Sequence, residues 1–283
     1  MDGGARGLLS HATQRRLLLD GAAVDAARLV DLMSTNLGHS TAMQVRGSSV
    51  QGLDLHLARL VSGSRRILSH ELDPALVLRR VVEALADTED ATVKVYVMAS
   101  PEPLEPALLV VVEPPAPAGD VPRRLRTVRY QRPFADLKHT GTFVKRWHER
   151  QARQAGYDTA LLVSPAGDVL ETATANVALV RDDALVWPAG ELLEGVTMQL
   201  LERRLAAVGL GSLRERLPLA SIDGASSVVV VNSRGVAPVG QVDDTAIAVD
   251  LALLARVREA LAHEPWQPLH VGVHHPTEPE GAR

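Results

Sequence analysis

The chain has no cysteine. Disulfides, thiolate metal ligands and cysteine nucleophiles are thereby excluded, and the composition suits a cytoplasmic protein. No apolar run approaches the ~18–20 residues that span a bilayer, so no membrane partner is expected. There is no basic excess either: the net charge is −4 and the sequence pI about 6.2. That argues against a nucleic-acid partner, which selects for positive charge. Lysine is also scarce. Of the 30 Lys and Arg residues only Lys94, Lys138 and Lys145 are lysines. The opening stretch "MDGGARGLLSHATQRRLLLDG" has no continuous apolar region and no small-residue cleavage site, and reads as mature protein.

What is present fits a soluble globular chain of 283 residues, 46% hydrophobic, long enough for two ordinary domains. No internal repeat is visible. "EPPAPAGDVPRR" (113–124) carries four prolines and a glycine, which hold neither a helix nor a central strand. It reads as a linker between an N-terminal domain (1–112) and a C-terminal domain (125–265), with a tail from 266 to 283 expected to fray.

In the first half, Asp73 and Pro74 cap a helix whose stripe is Val77, Val81, Ala84 and Leu85. "ATVKVYVMA" and "PALLVVVEP" read as strands. The second half reads as strand "RTVRY", helix "TFVKRWHERQARQAG", two hairpins around Pro165–Asp168 and Asp182–Asp183, helix "GVTMQLLERRLAAVG", buried strand "SSVVVVNS" and a last helix "VDLALLARVREALAH". His270, His274 and His275 in the tail lack a further ligand at metal spacing, and no metal site is expected.

The scarcity of lysine directs attention to "DLKHTGTF" (136–143). An arginine stays protonated, whereas a desolvated lysine can release its proton and form a Schiff base with a carbonyl. The commonest cofactor built on that chemistry is pyridoxal 5′-phosphate. It needs a carboxylate near its pyridine nitrogen, amides and a cation for its phosphate, and an apolar side chain on the ring. The sequence offers Glu171 at a strand end, with a protonated pyridine as the cation that a buried carboxylate requires. Gly195, Val196 and Thr197 stand at a helix start, with Leu193 before them. Asn232, Ser233 and Gly235 make a second candidate amide nest. Arg59 lies three residues after His56, on the same helix face. Each feature has a plain structural reading when taken alone. Their order and spacing set them apart.

This set resembles the class IV aminotransferase family of fold-type IV pyridoxal phosphate enzymes. The family includes branched-chain and D-amino-acid aminotransferases and 4-amino-4-deoxychorismate lyase. The motifs carrying the resemblance are Lys138, then Glu171 33 residues on (171 − 138) opening "ETATAN" with Asn176, "LEGVT" (193–197), and "HLARL" (56–60). The resemblance runs from about residue 30 to 250. It implies a mixed α/β (α+β) two-domain fold, with a small N-terminal α/β domain and a larger C-terminal pseudo-barrel. It also implies a homodimer with the active site between the domains. Lys138 would carry the Schiff base and shuttle the proton. Glu171 would pair with the pyridine nitrogen. Arg59, Gly195, Val196, Thr197, Ser233 and Arg234 would hold the phosphate, and Leu193 would pack on the ring.

Several positions depart from the transaminase pattern. Thr41 and Gln44 stand where an acidic residue and an arginine are usual, Phe143 where many members have a tyrosine, and "NSRG" where a Gly-Thr-Ala loop is usual. Thr41, Lys138-His139 and Asn232-Ser233 lean toward the lyase branch, in which Thr41 would transfer the proton during pyruvate elimination. "TGTF" after His139 does not follow that branch. The expected activity is an aminotransferase acting on a small amino or keto acid. The alternatives are the lyase and a pyridoxal phosphate-binding protein with altered or no catalysis. Candidate substrate contacts are His39, Gln44, Lys94 and Tyr96, taken from strand position alone, and His139 beside the lysine.

Overall fold

The computed structural model describes residues 15–100 and 106–269. The first unit comprises β1 (Arg16–Leu19), β2 (Ala22–Ala23), α1 (Ala26–Thr35), β3 (Gly38–Arg46), β4 (Ser49–Gln51), α2 (Leu53–Leu68), α3 (Pro74–Leu85), β5 (Ala91–Met98) and β6 (Ala107–Glu113). Its centre is the antiparallel set β3, β5 and β6. Strand alternation decides the two faces. Met43, Val45, Val93, Val95 and Val97 turn toward α2 and α3, where they meet Leu60, Val77, Val81, Ala84 and Leu85. Tyr96, Leu109 and Val111 turn the other way and join Leu32 of α1. The α3 start is as expected: Pro74 opens the helix and the Asp73 carboxylate accepts from the Ala75 amide.

The second unit comprises β7 (Arg123–Arg129), α4 (Phe143–Gln154), β8 (Thr159–Val163), β9 (Val169–Thr172), β10 (Asn176–Arg181), β11 (Ala184–Pro188), α5 (Val196–Arg204), β12 (Gly211–Glu215), β13 (Ser227–Asn232), β14 (Gly235–Val242), β15 (Thr245–Ala246), α6 (Leu251–Ala262) and finally β16 (Trp266–Pro268). Six of these strands close on themselves in the order β10, β13, β14, β7, β8, β9. The seam is the pairing of Glu171 with Asn176. The ring is a pseudo-barrel, filled by Leu125, Leu161, Val177, Leu179, Val228, Val230 and Val239. Alternate residues of β10 and β13, among them Ala178, Val180, Val229 and Val231, face outward under α5 and α6.

Two boundaries differ from the sequence expectation. Glu113 ends β6 and Arg123 begins β7, so the irregular connection is 114–122; sheet pairing reaches further than composition suggests. The stretch from 266 does not start by fraying. β16 pairs antiparallel with β4, returning the chain to the first sheet, and the Gln267 side chain accepts from the Leu53 amide at 2.5 Å. The tail histidines lie outside the described residues. Among the described residues no helix is long and apolar enough to cross a membrane.

Candidate active site at the lysine loop

The segment between β7 and α4 carries Lys138. It docks on the first unit as a short extra strand. His139 bridges His39, the Ser40 amide donates to the Lys138 carbonyl at 3.0 Å, and the Thr140 amide donates to the Gly38 carbonyl at 2.9 Å. The lysine therefore lies where the two units meet. A cavity of about 230 Å³ opens there, lined by Ser40, Arg59, Lys138, Leu193, Glu194 and Gln199 among others.

Burial pushes the Lys138 amine down to about 7, and the nearby charges of Arg59, Lys145 and Arg132 add to the effect while Glu171 opposes it. At neutral pH a large share of this amine is unprotonated, the state that nucleophilic attack requires. Lys145, in the first turn of α4, is lowered to about 8, by burial first and then by Arg132.

Glu171 is buried at 7% exposure on β9, as the sequence suggested, but its nearest cation is part of the protein. Arg132, 4% exposed, donates through Nε to Glu171 Oε1 at 3.1 Å. The same guanidinium donates to the Leu137 carbonyl at 2.5 Å and to the Ala135 carbonyl. Arg132 thus supplies a cation for Glu171 in addition to the expected pyridine ring. Arg132 engages one carboxylate oxygen, and no described residue donates to the other. In a chain with so many arginines nothing singled out Arg132, which sequence reasoning missed; the one available signal was its place in "RPFADLK", six residues before the lysine.

Across the barrel seam, Asn176 fixes the loop before α5. Its amide donates to the Leu193 carbonyl at 2.6 Å, and its oxygen accepts from the Gly195 amide at 3.1 Å. Gly195 is required here, because a Cβ would lie 2.1 Å from Asn176 Oδ1. Gly195 caps α5 without a side-chain bond, and the first turn holds no acidic residue, so the Val196 and Thr197 amides are free for an anion. The Thr197 hydroxyl donates to the Asn232 carbonyl at 2.9 Å, joining this turn to the β13–β14 connection. Arg59, on α2, donates to the Glu194 carbonyl at 2.9 Å, and burial lowers it to about 10. In the Asn232–Gly235 turn the Arg234 amide is already taken by Asn232 Oδ1 at 2.9 Å, and the Arg234 side chain is exposed.

Of the candidate substrate residues, His39 lines the Lys138 cavity and the others are not in its lining. Thr41 is 1% exposed and shares a 2.6 Å hydrogen bond with His56 Nδ1 beneath α2. His56 is driven down to about 3 by burial, then by Arg59 and Lys138. His39 packs on Gly63, its Nε2 bonded to Ser64 Oγ and its Nδ1 buried without a partner. Lys94 is neutralised by Glu113 at 2.5 Å, and Tyr96 packs with the α1 cluster. His139 Nε2 bonds the Pro133 carbonyl at 3.0 Å. Gln44 Oε1 accepts from Thr92, Ala116 and Arg46, while its Nε2 is buried without a partner.

An α/β unit joined to a six-stranded pseudo-barrel, with a depressed lysine, a buried carboxylate and an open helix start at the junction, is the build of a fold-type IV pyridoxal phosphate enzyme. The family model "Amino-transferase class IV" matches residues 38–242, and the chain belongs to that family. A probable branched-chain-amino-acid aminotransferase of Rickettsia bellii is 36% identical over 76 residues, 26% of this chain and 26% of that protein. The match thus spans about a quarter of the length of the curated relative. Among solved structures, a fold IV transaminase from Curtobacterium pusillum superposes with TM-score 0.77 at 23% identity, covering 88% of this chain and 99% of that one. A hypothetical aminotransferase from Mycobacterium tuberculosis in its pyridoxal phosphate-bound form gives 0.77 at 21%, over 88% and 98%. A putative 4-amino-4-deoxychorismate lyase from Legionella pneumophila gives 0.73 at 21%, over 83% and 94%. The cofactor of this family is pyridoxal 5′-phosphate, and the donor set fits it: an amine whose proton burial loosens, a carboxylate oxygen with no donor among the described residues, and open helix-start amides near Arg59.

Proposed function

We propose that this protein is an aminotransferase acting on a small amino or keto acid through Lys138. The observation that carries the reading is the depressed Lys138 amine within reach of the Glu171 charge, on a cavity also lined by Arg59 and by Leu193 and Glu194 just before the open α5 start. When bound, pyridoxal phosphate supplies an aldehyde for the lysine and a ring that accepts electrons from the substrate Cα. Lys138 offers the neutral amine and afterwards holds and moves the Cα proton. Glu171 would pair with the ring nitrogen and favour its protonated form. Arg59 and the Val196 and Thr197 amides would hold the phosphate, with Ser233 on the neighbouring turn; the Gly195 and Arg234 amides, already bonded to Asn176 and Asn232, are not free for it, and Leu193 would lie against the ring.

A second reading, pyruvate elimination of the lyase kind, draws on one observation. Thr41 bonds to His56, whose ring lies close enough to Lys138 for the lysine charge to depress it. The transaminase reading is preferred because the Thr41 hydroxyl is committed under α2 and lines no described cavity.

The proposed assembly is a homodimer. Both phenylalanines of the chain, Phe134 and Phe143, are exposed at 74% and 77% on or beside the lysine loop. Phe143 stacks on the half-exposed Trp147 with ring centroids 6.5 Å apart. An apolar patch of this kind beside the site calls for a covering surface.

Borohydride reduction in the presence of pyridoxal phosphate should attach the cofactor to Lys138, and an accepted amino donor should convert bound cofactor to its pyridoxamine form. A colourless protein indistinguishable from K138A refutes the cofactor site. Pyruvate release from aminodeoxychorismate that disappears in T41A would replace the transaminase by the lyase. Sedimentation of F143D/W147D as monomer, against a wild-type dimer, tests the assembly.

A further inference from the structure

Arg132 stands apart from every role so far assigned. It is among the most buried charged groups of the described residues, and its guanidinium spends its donors in two directions. Toward its own loop it grips the Ala135 and Leu137 carbonyls, the second belonging to the residue just before Lys138. That loop is a tight turn, with Phe134 at φ 50° and the Leu137 amide donating to the Phe134 carbonyl at 2.9 Å. Toward the barrel it grips Glu171 Oε1. Glu171 is in turn the register partner of Asn176, which holds the Leu193 carbonyl and the Gly195 amide. One connected path thus runs from the lysine loop, through Arg132 and Glu171, across the barrel seam to the helix start. A planar fork suits this task. Lysine in the same place would be a single point of charge and could not hold two carbonyls and a carboxylate in fixed directions.

We propose that Arg132 is a positioning residue that sets the Lys138 loop and the Glu171 carboxylate relative to one another, so that one guanidinium fixes both ends of the cofactor ring. The inference rests on the pyridoxal phosphate reading above. Its content is a coupling. Arg132 acts on cofactor binding through Glu171 as well as through the loop, and its effect must therefore depend on whether Glu171 carries a carboxylate.

The test is a double-mutant cycle on the full chain with R132M, E171Q and R132M/E171Q, read by the dissociation constant for pyridoxal phosphate and by the pH midpoint of the visible band of the bound form. R132M should weaken cofactor binding at least tenfold and move the midpoint upward, since a fixed cation beside the lysine is removed. In the E171Q background the same substitution should cost threefold or less. R132K should restore part of the loss. Wild-type affinity and midpoint in R132M overturn the proposal. So does an equal loss from R132M in the wild-type and E171Q backgrounds, which would mean a general structural role. Should R132M fail to fold, R132K carries the same cycle: a several-fold loss of affinity that falls toward none in the E171Q background supports the coupling, and wild-type affinity or an equal loss in both backgrounds overturns it. Failure of wild-type protein to attach the cofactor at Lys138 under borohydride removes the functional reading itself, an outcome visible before any variant is made.

Discussion

The sharpest consequence of the site concerns the free amine of Lys138 before any cofactor binds. An ordinary lysine, near 10.5, is about 0.03% unprotonated at pH 7, whereas a lysine at about 7 is roughly half unprotonated. The ratio of free to protonated amine is therefore raised about 3000-fold, equivalent to ~5 kcal/mol against the charged form. Burial is the first cause, and the Arg59, Lys145 and Arg132 charges follow. Competitive acylation of the ligand-free protein, with each lysine peptide quantified by mass spectrometry across pH, reads the midpoint without any turnover. Lys138 should label with a midpoint near 7 and Lys145 near 8. Removing one cation (K145M or R59M) should raise the Lys138 midpoint by about one pH unit or less, because burial remains. E171Q should lower it, because the opposing anion is gone. A Lys138 midpoint above about 9 would refute the reasoning. A K145M shift of more than two units would show that neighbouring charge outweighs burial.

Other expectations follow from the same geometry. The native Lys138 amine loses its proton near 7 and the unfolded one near 10.5, so between these values the unfolded chain binds more protons; the ligand-free protein should gain stability with rising pH there, and K138M should remove that gain in thermal melts taken at successive pH values. G63A would set a Cβ 2.6 Å from His39 Nδ1 and should cost ~1–3 kcal/mol by denaturant titration, with G63A/H39A recovering part of it. N176A removes two hydrogen bonds that shape the α5 start and should both destabilise by ~1–3 kcal/mol and weaken pyridoxal phosphate binding, measured by absorbance titration. Truncation after residue 265 removes β16 and the acceptor for the Leu53 amide, and should lower the melting temperature of the ligand-free protein.

Much of the fold was legible because local chemistry and tertiary demand agree. The Asp73-Pro74 start, the Gly209 stop and the buried run of β13 each form where turn chemistry and periodicity put them. β16 was not legible, since Trp266–Pro268, a three-residue stretch that follows one proline and ends on another, becomes a strand only because β4 offers an unpaired edge. For the site, the sequence by itself determined which chemistry is possible: a lysine where arginine is the habit, and a glutamate, a Gly-Val-Thr turn and a distant arginine in workable order. Tertiary structure decided the rest. Whether Lys138 is neutral depends on burial and on cations supplied by α2, α4 and the loop, which no linear spacing displays. That Glu171 and Asn176 close the barrel follows from pairing across β9 and β10. That Arg132, and not a ligand alone, answers the Glu171 charge follows from a guanidinium folded back onto its own loop, a contact that exists only once the chain has been brought around to meet it.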